Sequence, residues 1–115
     1  MIIHSGTKET TTFENLHDGT GSVHISKKVS NHDEIKGLDM FAEVTIDVDA
    51  SIGYHIHKSE AEAYYILEGH GIFLDDGRVQ KPVKHGDLCI ITQGQGHGMI
   101  NTGQEQLKLI AIVWP

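Results

Sequence analysis

The stretch GYHIHKSEAEAYYILEGHG, from Gly53 to Gly71, decides how the whole chain is read. His55 and His57 stand one residue apart, Glu62 follows five places later, and an aromatic, apolar run ends at Gly69 and Gly71. On a strand, residues i and i+2 share a face, so His55 and His57 would project side by side. On a helix the same pair would diverge by about 200°. The pair can chelate only if the segment ending at His57 is extended. The short link KSEA then reverses the chain, and Glu62 opens the next strand with Tyr64 and Ile66 on its face. A competing reading takes Ser59-Glu60-Ala61-Glu62 as a capping box and 60–68 as a helix. Tyr64, Tyr65 and Ile66 weigh against it, and Gly69 and Gly71 arrive too soon for a stable helix.

Period two continues on both sides of this stretch. SVHISKKV sets Val23, Ile25 and Lys27 against His24, Ser26 and Lys28. MFAEVTIDV sets Met40, Ala42, Val44, Ile46 and Val48 against Phe41, Glu43, Thr45 and Asp47, the pattern of a half-buried strand. Further strand candidates are 64–68, 71–74, 78–83, 87–91, 97–101 and 107–114. Asp75-Asp76-Gly77 is a hairpin signal and Asn101-Thr102-Gly103 a second turn. Short strands with frequent turns predict an all-β fold, a sandwich or a barrel. Residues 1–18 read as an N-terminal arm, with 7–18 an arm or a short helix, and 19–115 as one barrel domain.

Composition narrows the classes. A chain of 115 residues with 38% hydrophobic and 22% charged residues suits one globular domain with a real core. The net charge of −7, with Lys27-Lys28 the only adjacent basic pair, argues against nucleic-acid and anionic-membrane partners. Cys89 is the single cysteine, so no internal disulfide forms; in LCII it reads as a buried, inert thiol. The N-terminus lacks a basic segment leading into a long apolar one, and a cytoplasmic protein is expected.

His97, which follows the glycine-rich TQGQG and begins a strand, supplies a fourth donor to His55, His57 and Glu62. Three imidazoles and a carboxylate suit one divalent transition metal ion: Mn, Fe, Co, Ni or Zn. Four protein donors on an octahedral ion leave two positions open, the mark of a reactive rather than a structural site. Strand parity aims Tyr64 and Ile66 with Glu62, and Met99 and Asn101 with His97, so these four are expected to line a substrate pocket. His4, His17, His24, His32, His70 and His85 lack ligand-like spacing and read as surface residues.

Together these residues resemble the cupin superfamily. Its first motif, G-x5-H-x-H-x3,4-E-x6-G, is matched by His55, His57, Glu62 and Gly69, with Asp49 at the leading glycine position. Its second, G-x5-P-x-G-x2-H-x3-N, is matched by Gly86, Gly94, His97 and Asn101, with Thr92 at the proline position. The resemblance implies a double-stranded β-helix (jelly-roll) barrel with the metal in its mouth, held by His55, His57, Glu62 and His97. It also implies a homodimer, with SVHISKKV a candidate for strand exchange between barrels. Cupins span dioxygenases, isomerases, storage proteins and sensors. The reading here is a metalloenzyme acting on a small polar or aromatic molecule by dioxygenase-like or isomerase-like chemistry. The alternative is a non-catalytic metal-containing sensor or binding module for a small molecule. The cations a phosphate sugar would need, Lys58, Arg78 and Lys108, are scattered along the chain.

Overall fold

A computed structural model describes all 115 residues. Ten strands form two antiparallel sheets: β1 (Thr10–Glu14), β2 (Ser22–Val29), β3 (Met40–Ile46), β4 (Ser51–Ile56), β5 (Ala61–Glu68), β6 (His70–Asp75), β7 (Val79–Lys84), β8 (Leu88–Ile91), β9 (Gly96–Asn101) and β10 (Leu107–Trp114). One sheet runs β1-β2-β3-β10-β5-β8 and the other β4-β9-β6-β7. Consecutive strands alternate between sheets through β3–β5 and β8–β10, the winding of a double-stranded β-helix. No helix is long and apolar enough to cross a membrane.

The alternating strands bury the faces their patterns mark. Ala42, Val44 and Ile46 from β3, Tyr64 and Ile66 from β5, and Leu107, Leu109 and Ala111 from β10 pack against Ile52, Phe73 and Met99 of the smaller sheet. Cys89 joins this core, and burial pushes its thiol up to about 11, so it stays protonated and unreactive. The hairpin between β6 and β7 turns at Asp76–Arg78, with Gly77 at φ 77° and Arg78 at φ 65°. Asp49, at the motif's glycine position, has φ 63°. The position demands a left-handed backbone, which glycine adopts freely and aspartate tolerates.

The N-terminal segment is where the structure departs most from the arm expected over 1–18. Thr10–Glu14 is β1, paired in register with β2, so β2 has both edges occupied within its own barrel. Leu16–Asp18 then forms a 3-10 turn against β4.

A bulge in β4 sets the site. Ile52 pairs with Met99 and His55 with His97, so β4 advances three residues while β9 advances two. Strict alternation from the buried Ile52 would turn His55 and His57 outward. The extra residue at Gly53-Tyr54 reverses parity, so Ile52 and both histidines face the interior. Tyr54 is held on the outside, its hydroxyl accepting from the Gly77 N–H at 3.1 Å and its ring under the Arg78 guanidinium at 4.5 Å.

Candidate metal centre

His55 and His97 are direct register partners on neighbouring strands, so their side chains emerge together. His57 lies one residue beyond β4, and its backbone continues the pairing: its N–H donates to Gln95 O at 3.0 Å and its carbonyl accepts from Gly94 N at 2.7 Å. Glu62 reaches in from β5 of the opposite sheet. The donor atoms of His55, His57, Glu62 and His97 all lie within 4.8 Å of one another.

Each donor has a reason for its state. His55 Nδ1 lies 2.8 Å from Gly53 O. A carbonyl can only accept, so the proton sits on Nδ1 and the Nε2 lone pair is free for the cluster. Burial lowers the His55 pKa to about 4, which keeps that ring neutral. Glu62 Oε1 lies 2.9 Å from His57 Nε2 and 2.8 Å from His97 Nε2. Burial acts to raise the Glu62 pKa, but the close imidazoles of His57 and His97 outweigh it and hold the carboxyl at about 2. The same close contact raises His57 above its ordinary value. Although so close to Glu62, His57 Nε2 is buried without a well-aligned hydrogen bond. A buried imidazole nitrogen without an aligned partner, beside a fully ionised carboxylate, is the arrangement a metal ion satisfies.

A cavity of about 360 Å³ opens from this cluster. His55, His57, Glu62 and Tyr64 are on its wall, with Glu60 and Asp39 beside them. Of the four residues expected to line a pocket, Tyr64 does so; its ring stacks on His97 at 4.6 Å, and burial holds its hydroxyl protonated. Ile66 and Met99 are fully buried in the hydrophobic core, off the cavity wall. Asn101 is also off that wall: its amide donates to Ile46 O, Asp47 O and Glu105 O, and its Oδ1 accepts from Gly103 N. It clamps the end of β3 to the β9–β10 turn.

His17, read from sequence as a surface residue, is exposed, yet it also touches the site. Its ring stacks on His55 with centroids 3.7 Å apart and planes within 11°, and it lines the cavity. It lies outside the four-donor cluster. Burial, then the neighbouring His57, lowers its pKa, so it packs as a neutral ring. The stack fixes the free face of the His55 ring, as an outer-layer partner would fix a metal-binding imidazole. His17→Ala is therefore expected to weaken metal affinity by about tenfold, and His17→Phe, which keeps a flat ring, to restore most of it. Competitive chelator titration reads both; equal losses in the two variants would rule out the stack as the cause.

The family comparison agrees with this geometry. A family model described as Cupin domain matches residues 42–113, which contain all four donors. An oxalate-binding protein from Thermotoga maritima is 33% identical over 98% of this chain and 93% of its own length. The crystal structure of a predicted oxalate decarboxylase from the same organism superposes with a TM-score of 0.90 at 32% identity, covering 99% of this chain and 98% of that one. A polyketide cyclase from Streptomyces resistomycificus shares the fold, with a TM-score of 0.74 at 19% identity over all of this chain and 78% of that one. With its bulged His-x-His strand, its carboxylate from the facing sheet and this match over most of its length, the chain belongs to the cupin family.

Proposed function

We propose that this protein is a metal-dependent cupin that takes a small acid with paired oxygens, of which oxalate is the simplest, at an ion held by His55, His57, Glu62 and His97. The observation that carries this reading is the convergence of three imidazoles and one carboxylate within 4.8 Å at the wall of a cavity. A divalent transition ion, Mn, Fe, Co, Ni or Zn, would supply Lewis acidity toward the oxygens of the bound molecule. The relative named for oxalate binding supports the choice of head group. The chain's own groups do the rest. The Gly53 carbonyl orients His55, Tyr64 packs on His97 with its hydroxyl protonated, and apolar side chains keep bulk water from much of the wall.

Turnover of the bound molecule is the second reading, and one placement favours it over pure binding. Glu60 and Asp39 stand on the same cavity wall as the donors, where a carboxyl group can pass a proton in dioxygenase-like or isomerase-like chemistry. Elemental analysis of protein purified without a metal-affinity tag, followed by oxalate calorimetry with and without the ion, tests the main reading. Stoichiometric metal and oxalate binding that disappears with a chelator are expected. Protein that takes up none of the five ions would sink it.

Pairing with a second copy belongs to the same proposal. The outer face of the larger sheet carries an apolar strip: Phe41, Ile112, Ala63 and Ile90 follow one another across it, with Ile110, Tyr65 and Leu88 alongside and Glu43 at the end of that second row. Leu88, Ile90 and Tyr65 are 57%, 48% and 42% exposed. A contiguous apolar patch on a net-negative protein marks an interface. Sedimentation is expected to give a dimer for the natural chain and a monomer when Leu88 and Ile90 are both changed to Lys. A monomeric natural chain would remove this part of the proposal.

A further inference from the structure

Oxalate is two carboxylates joined by one bond, with no C–H surface to bury. The cavity beside the donors is far larger than such a molecule needs. Its volume of about 360 Å³ is the share of roughly a dozen waters at ~30 Å³ each, within the range of pockets that enclose drug-sized ligands. Its wall is also of the wrong chemistry for a bare dianion. Phe13 of β1, Leu16 of the 3-10 turn, Ile25 of β2, Met40 of β3 and Val113 of β10 all face it. A dianion at the donor cluster would leave these side chains against water, and the burial of apolar surface that this wall offers would go unused.

The apolar wall does not follow from the barrel alone. Phe13 and Leu16 come from the segment that precedes β2 and lines the cavity. That segment carries the three non-glycine residues Asn15, His17 and Asp18 in left-handed conformation, at φ 53°, 54° and 63°. Asparagine, aspartate and histidine are the non-glycine types that take this backbone most readily, so the sequence is suited to a tight turn that sets Phe13 and Leu16 on the cavity wall.

We infer that the site's ligand is a 2-oxo or 2-hydroxy carboxylic acid with an apolar body: its paired oxygens face the His55, His57, Glu62 and His97 cluster, and its aliphatic or aromatic chain lies against Phe13, Ile25 and Met40. This rests on the metal-dependent reading above and adds the body to the head group. Lys27 and Ser30, both exposed, line the cavity as well, so a polar group on the far end of the chain is accommodated.

The test is a calorimetric series on the full chain loaded with Mn²⁺: oxalate, pyruvate, 2-oxobutyrate, 2-oxopentanoate and 2-oxohexanoate. Each methylene buried against the wall is expected to tighten binding about fourfold, so 2-oxohexanoate binds about 60-fold more tightly than pyruvate. Phe13→Ser and Ile25→Ser, on different strands, should each lower the ratio of 2-oxohexanoate to pyruvate affinity; two variants keep the ratio readable if one fails to fold. Oxalate or pyruvate binding with a flat or falling series would overturn the inference and leave the metal-dependent reading standing. Failure of every probe, oxalate included, to bind the protein loaded in turn with each of the five ions would overturn both.

Discussion

A Glu62→Gln variant is expected to lose metal affinity by more than about 100-fold, beyond what removing an outer-layer partner costs. Glu62 is the single anionic donor of the cluster, 5% exposed, and one of its oxygens touches two of the three imidazoles. Glutamine keeps the shape and removes the charge, leaving a dication in a half-enclosed site with no counter-charge. The pH dependence should change with it. In the metal-free protein His57 is held above its ordinary 6.5 by the close Glu62 carboxylate, and its proton must leave before Nε2 can bind an ion. Affinity in the natural chain should therefore fall as pH drops through a value above 6.5, and in the variant this fall should move to lower pH. Chelator competition across neutral pH measures both effects. An unshifted profile would mean that another group carries the competing proton.

The same shifts govern acid stability of the metal-free protein. His55 titrates near 4 folded against 6.5 unfolded, so the unfolded chain binds the extra proton and stability declines as pH falls through that window. Glu62, at about 2 folded against 4.5, contributes above 4.5 and loses its contribution as pH falls toward 2. His57 runs the other way: its contribution is full below 6.5 and is lost as pH rises through its raised folded value. Stability without metal should thus decline on the acid side, which urea denaturation at successive pH values would measure.

Most of the barrel could be read from residue pattern, because a strand with one face in the core must alternate, and β3 and β10 do, while β2 does so only up to a register shift after Lys27. β1 could not. TTTFE is exposed at four of its five residues and has no apolar face to declare itself. The convergence of the four donor side chains was legible from the spacing of the two motifs, although only the histidines share neighbouring strands and Glu62 comes from the facing sheet. Their common orientation with Ile52 was not, since it depends on a bulge that inserts one residue without any strong marker beyond Gly53. Asn101 was read by parity as facing a pocket, but parity says nothing of what an amide binds, and three carbonyls claim it. His17 is exposed, as its sequence context suggested, but its contact with His55 was not legible. It reaches the site through a turn of left-handed residues that sequence periodicity does not register.

Gly53→Ala should be the most damaging single-methyl change in the molecule, and the reason is backbone packing rather than conformation. A Cβ at Gly53 would fall on the carbonyl oxygen of His17 and 2.8 Å from the Gly19 N–H. Both neighbours are main chain, so no side chain can swing away, and the turn or the bulge must shift. Overpacking of this kind costs about 3 kcal/mol, which for a chain of this size lowers Tm by about 12 °C. Gly37→Ala is the control. Gly37 has φ +85° with open space around it, so its alanine carries left-handed strain of about 1–2 kcal/mol and no clash. The two should also differ at the metal. Moving the bulge displaces His55 together with the His17 ring stacked on it, whereas Gly37 lies in the β2–β3 connection. Chelator titration should therefore give weakened binding for Gly53→Ala and natural affinity for Gly37→Ala. Equal melting losses and equal affinities would mean that the turn carrying His17 does not press on β4 in solution, and the His17–His55 stack would fall with that contact.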